Sequence, residues 1–182
     1  MTIRPELLRG LVRWRCIRSG IIDHFRIPKR SYYWYRNAYA KVVPPTWPAA
    51  GTAAGLKLTA STTTLTAVDG TQDAWLLVTV VDSTGKPISN NVPVTLTIKS
   101  GPGEFPTGPS ITFTPPNMGS ASDISIRDGQ AAIEFRTYTS GTSVIEATSS
   151  GLTSSSVTIV SQGSPAWVEG VTRPVATRPY QP

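Results

Sequence analysis

Apolar and polar residues alternate with a period of two from Leu56 to about Gln162, the pattern of strands with one buried face. Leu56-Lys57-Leu58-Thr59-Ala60 and Thr64-Leu65-Thr66-Ala67-Val68 are short alternators that run into Asp69-Gly70, a turn signal. The run AWLLVTVV, Ala74–Val81, sends Trp75, Leu77, Thr79 and Val81 to one face and Leu76, Val78 and Val80 to the other. Both faces are largely apolar, which predicts a central strand. Residues 92–98 alternate Val92, Val94, Leu96 and Ile98 against Pro93, Thr95 and Thr97. The stretch SGPGEFPTGP, residues 100–109, is too rich in Gly and Pro for a strand and predicts a loop. Residues 111–113, 124–126, 130–138, 142–148 and 155–160 alternate again between Gly, Asp or Ser turns, with Asp128-Gly129 the clearest hairpin signal. About seven to nine short strands in such a span predict a mainly β fold, an immunoglobulin-like β-sandwich over residues 56–162.

The flanks have other patterns. Residues 42–55, VVPPTWPAAGTAAG, lack periodicity and predict a Pro/Ala/Gly linker. The tail GSPAWVEGVTRPVATRPYQP, residues 163–182, holds four prolines and predicts a poorly ordered segment. At the other end, residues 19–29 predict a short strand stopped by Pro28, and Ser31 is placed to cap a helix running through Asn37 or beyond. A lone strand and helix cannot bury both their faces, so residues 1–41 are expected to complete a larger α/β unit upstream. On that expectation the chain is the C-terminal end of a longer protein, and residues 1–41 made alone would expose apolar and aromatic surface and promote association.

Charge sharpens this division. The formal charge is +6, yet residues 1–48 hold ten Lys or Arg against Glu6 and Asp23, whereas residues 49–182 hold seven against nine acids. Basicity confined to one end argues against a nucleic-acid-binding face on the strands. Cys16 is the single cysteine and His24 the single histidine, eight positions apart, so neither an intrachain disulfide nor a thiolate metal cluster is expected. No apolar run approaches the roughly 20 residues of a membrane-spanning helix.

The stretch Gly20-Ile21-Ile22-Asp23-His24-Phe25-Arg26-Ile27-Pro28-Lys29-Arg30-Ser31-Tyr32-Tyr33-Trp34-Tyr35 resembles the last strand and last helix of the catalytic (β/α)8 barrel in glycoside hydrolase family 2. Residues 56–159, with the runs VPVTL, GPGEFP and IRDGQAA, are similar to the immunoglobulin-like C-terminal domain appended to some of these enzymes and to invasin-type repeats. The resemblance implies a β-galactosidase-like parent that hydrolyses β-glycosidic bonds. It also implies that the two catalytic glutamates of such an enzyme lie on earlier barrel strands, so no residue here inherits either role. The chain is therefore expected to be a non-catalytic structural or accessory module, with the parent barrel as its partner and no cofactor. The parent is expected to be extracellular or periplasmic, its export signal lying upstream. Two alternatives remain open, a carbohydrate-binding module with an oligo- or polysaccharide partner, and an invasin-like adhesion domain.

Candidate chemistry is sparse. Asp23 and His24 are adjacent on a predicted strand and point to opposite faces, which argues against an acid–base pair. Among the aromatics Tyr32, Tyr33, Trp34, Tyr35 and Trp47, the candidates for sugar stacking are Trp34 and Trp47, with packing of the helix and linker the competing role. Glu104, Phe105, Asp69, Asp123 and Asp128 are expected to serve structure, the acids as turn formers rather than calcium ligands.

Overall fold

The computed structural model describes Ile22, residues 28–115 and residues 125–178. Contacts divide the chain into two compact units, Met1–Thr46 and Trp47–Pro182.

In the first unit, Ile22 and Pro28 form an antiparallel bridge; the rest of the strand expected at residues 19–27 lies outside the described residues. A helix spans Arg30–Ala40. Ser31 does not cap it. Lys29 is the N-cap residue, with extended backbone and no side-chain cap bond, and Ser31 sits within the first turn. Pro28 accounts for the shift, because the residue following it can start a helix while the proline itself cannot continue one backwards. The helix ends at Lys41, which adopts a left-handed conformation and donates its amide to the Asn37 carbonyl, satisfying one of the terminal carbonyls.

The second unit is a sandwich of two sheets. Its strands are β1 (Gly55–Ala60), β2 (Thr64–Leu65), β3 (Ala74–Val81), β4 (Val94–Ser100), β5 (Ser110–Phe113), β6 (Gln130–Phe135), β7 (Gly141–Thr148) and β8 (Ser155–Ser161). One sheet has the order β1-β3-β6, and the other β2-β8-β7-β4-β5. Every pair is antiparallel except β2 with β8. The first strand region thus changes sheets between Ala60 and Thr64, the arrangement of an immunoglobulin-like sandwich in which one segment edges both layers.

Alternation decides which residues meet between the layers. Leu76, Val78 and Val80 of the central β3 are completely buried, while Trp75 and Leu77 on its other face are half-buried. Opposite them lie Leu96 of β4, Phe113 of β5, Ile145 of β7 and Ile159 of β8, all buried. Each such side chain contributes about 1.5–3 kcal/mol through its removal from water. The Asp128-Gly129 hairpin forms as the dipeptide predicts: both residues have positive φ, and Arg127 and Gln130 exchange both backbone hydrogen bonds.

Several strand limits differ from the alternation. Residues 66–68 turn away after Leu65, because the Gln72 side-chain carbonyl accepts the amides of Thr66 and Ala67. The strand predicted through Tyr138 ends at Phe135, where the Thr137 hydroxyl bonds Thr139 and closes a turn. Of residues 124–126, Ile124 lies outside the described residues, and Ser125 pairs with Thr114 only as a bridge.

Segments flanking the strands are also attached. The sandwich unit begins at Trp47, inside the segment read as a linker: Ala49 accepts the Ser89 amide, and Gly51 exchanges two hydrogen bonds with the Asn90 side chain. Residues 163–178 have little regular structure but turn back over one end of the sandwich. There Ser140 donates to Pro165, Trp167 donates to Ser140, and Arg178 donates to Thr107.

Candidate functional site

The loop after β4 and the returning tail build one end of the sandwich together. Phe105 is buried against Phe135, their rings 6.2 Å apart and nearly edge-to-face, so the Gly-Pro loop is anchored in the core by its one large apolar residue. Glu104 and Arg136 exchange backbone hydrogen bonds beside it. The Arg136 guanidinium bonds both carboxylate oxygens of Asp73 at 3.0 Å, a two-pronged geometry that Arg and a carboxylate satisfy well. That bond, followed by one to Tyr138, raises the Arg136 pKa further above its already high ordinary value despite partial burial. On the outer side the Glu104 carboxylate holds Arg178 of the tail at 2.8 Å.

Between this loop and the tail lies a groove of about 600 Å³. Its lining includes Tyr138, Trp167, Lys99, Glu104, Glu169 and Arg173. Tyr138 is about half exposed, at 49%. Trp167 is half-buried, held by its backbone bond to Ser140 and by the absence of a side chain at Gly141, where an added Cβ would lie 3.1 Å from Pro102 and 3.7 Å from Trp167. Lys99 is paired with Glu146 at 3.4 Å, and Glu104 with Arg178. Glu169 and Arg173 are exposed and form no ion pair among the described residues.

The residues singled out from the sequence lie elsewhere. Trp34 is on the helix of the first unit, 64% exposed, its ring edge-to-face with Tyr35, which stacks on Tyr39. Trp47 opens the second unit and is half-buried. Asp69 is a turn former: its carboxylate accepts the Thr71 hydroxyl at 2.6 Å and the Thr71 amide at 3.0 Å, and these bonds hold its pKa below the ordinary 3.8. Asp82 does the same with Thr84 and the Lys86 amide, and its pKa is lowered for the same reason. Asp128 occupies the hairpin turn. Glu6, Cys16, Asp23, His24 and Asp123 lie outside the described residues. Among the described residues no three His, Cys, Asp or Glu side chains gather as a metal site, and no helix is long and apolar enough to cross a membrane.

Tyr138, Trp167, Glu169 and Arg173 were not legible as a group, since 29 positions separate Tyr138 from Trp167. The one local signal was Trp167 with Glu169 and Arg173 close to it in the tail.

No protein-family model matches the chain, and no curated protein matches it. Among solved structures it is similar to a glycosyl hydrolase family 2 member from Bacteroides cellulosilyticus DSM 14838, with 21% identity over 61% of this chain and 15% of that one, and a TM-score of 0.47. A β-glucuronidase from glycoside hydrolase family 2 is 26% identical over 71% of this chain and 14% of its own, with a TM-score of 0.48. The D00-D0 domain of intimin is 20% identical over 59% of this chain and 46% of its own, with a TM-score of 0.43. The chain thus spans about one-seventh of the length of those two hydrolases and less than half of the intimin fragment, and the two-sheet assignment rests on its own strand pairing.

Proposed function

We propose that the chain is a non-catalytic accessory module of a β-galactosidase-like protein of glycoside hydrolase family 2, following the catalytic barrel and packing on it or spacing it from other surfaces. The observation that carries this reading is the helix Arg30–Ala40. It bears four tyrosines and a tryptophan, yet none of its residues is buried, and Trp34, Tyr35 and Tyr39 are exposed. An aromatic helix with no buried face requires a surface to cover it. Its sequence, with the preceding Gly20-Ile21-Ile22-Asp23 run, is the part that resembles the end of the barrel. A barrel upstream would supply that surface and the two glutamates of a retaining glycosidase.

The test is the DNA upstream of Met1. The expected result is an in-frame barrel of roughly 250 residues with two glutamates at strand ends; a stop codon with no barrel before it sinks the reading. The second reading, a carbohydrate-binding module, is favoured by the aromatic groove beside the tail.

A further inference from the structure

We propose that the groove between the β4–β5 loop and the C-terminal tail receives an extended peptide segment of a partner protein, held by main-chain hydrogen bonds to both groove walls.

The two walls share one pattern. On the loop, Gly101 and Gly103 flank Pro102; on the tail, Arg173 and Val175 flank Pro174. All six line the groove. The amides of Gly101, Gly103, Arg173 and Val175 bond nothing among the described residues, and a proline has no amide hydrogen to offer. Each wall therefore carries two open donors two residues apart, the step in sequence at which one edge of a strand presents its amides. The Gly170 amide, also open, adds a fifth.

Neither wall has to be ordered on binding. A Cβ on Gly101 would strike the Thr142 carbonyl, and one on Gly103 the Phe135 ring, so the loop backbone is seated against β7 and the core. The tail is fixed by the Thr172 amide on the Val168 carbonyl, the Val168 amide on the Thr172 hydroxyl, and the Arg178 amide on Thr107. These bonds use other amides and leave the groove-lining ones open, and such preorganisation lowers the entropic cost of association.

The place in the sheet suits an added strand. β5 pairs with β4 as far as Thr97, and the Ile98 amide still reaches Pro109. Lys99 and Ser100 run on past the last of these bonds and line the groove. A strand end open on one side is where an extended peptide joins a sheet. Between the donors the lining is apolar, from Pro102, Pro109, Pro174 and the half-buried Trp167 and Val175. One face of the peptide meets that surface, so the occupant alternates apolar and polar residues. Lys99 and Glu104 are already paired with Glu146 and Arg178, and the remaining Glu169 and Arg173 are of opposite sign. A segment without net charge fits them.

The proposal goes beyond the accessory-module reading and its test needs no barrel. The 15N-labelled chain, residues 1–182, is titrated with the N-acetylated, C-amidated peptide SVTVTVS, with the proline-interrupted SVPVPVS as control and cellotetraose and xylotetraose as competing ligands. SVTVTVS is expected to shift the amide protons of Gly101, Gly103, Arg173 and Val175 saturably and to slow their exchange with water by about tenfold or more, since a bonded amide is shielded from solvent. Val175→Pro deletes one donor and should bind about fivefold more weakly than Val175→Ala, which keeps it, the size of one lost main-chain bond. Where the proline also lowers the melting temperature, the exchange rates of the unaltered chain decide. No saturable shift with SVTVTVS, shifts without slowed exchange at Gly101 and Gly103, equal binding of SVPVPVS, or tighter binding of either sugar would each overturn the assignment. Its loss leaves the accessory reading standing, and absence of an upstream barrel leaves this titration unaffected.

Discussion

Two glycines separate backbone strain from steric contact. Gly129 and Gly85 both have positive φ, at +74° and +80°. A Cβ on Gly129 would fall on the carbonyl oxygen of Ile88, whereas around Gly85 there is nothing within 4 Å. Gly85→Ala is expected to cost about 1 kcal/mol from the left-handed backbone alone. Gly129→Ala adds the clash with a main-chain atom that cannot rotate away, and should cost about 3 kcal/mol or more. Urea unfolding of the two variants checks the difference, and equal losses would mean that the segment around Ile88 moves freely. The turn at Asp128-Gly129 was legible because the type of turn demands those residue types. The neighbour that makes Gly129 irreplaceable was not, because Ile88 is 41 positions away.

Among the described residues alternation located all eight strands but overran several ends. Residues 66–68 and 137–138 continue the apolar–polar pattern past the point where pairing stops. A period of two records which face is buried, while the end of a ladder depends on a side chain such as Gln72 or Thr137 capturing the backbone first. The tail is the converse case. Its prolines deny it a strand, yet it is fastened by backbone bonds at Pro165, Trp167 and Arg178. It covers Gly108, where an added Cβ would meet the Ala176 carbonyl. Deleting residues 163–182 should expose the underside of the loop around Phe105 and lower stability by about 1–3 kcal/mol, a fall of several degrees in the melting temperature. Arg178→Ala, which removes the ion pair to Glu104 and the side-chain bond to the Phe105 carbonyl but keeps the backbone bonds of the tail, should cost about 1 kcal/mol. Calorimetry on both distinguishes a docked strap from a single surface contact: equal small losses would show that the backbone bonds contribute nothing.

The core of the sandwich draws its buried side chains from within the unit that begins at Trp47. Residues 47–182 made alone are therefore expected to unfold cooperatively at the melting temperature of the same unit in the full chain. A drop of more than about 5 °C would show that residues 1–46 contribute to its stability. The sandwich class was readable from the sequence because it depends on strand count and alternation. The groove was not, because it arises only when the tail is laid across the loop.

The exchange of the first strand region between layers has a mechanical consequence. The chain enters the sandwich at Gly55, opposite Val81 and Thr153, and leaves β8 at Ser161, the end where β7 begins. Entry and exit are thus at opposite poles. Tension applied between them would slide β2 along its parallel neighbour β8, where Thr63 and Leu65 accept the amides of Val160 and Gln162. Those bonds lie across the direction of pull and would have to break together rather than one after another. Two short residues of parallel strand are placed to act as a clasp, letting the module carry load between whatever is joined to its two ends.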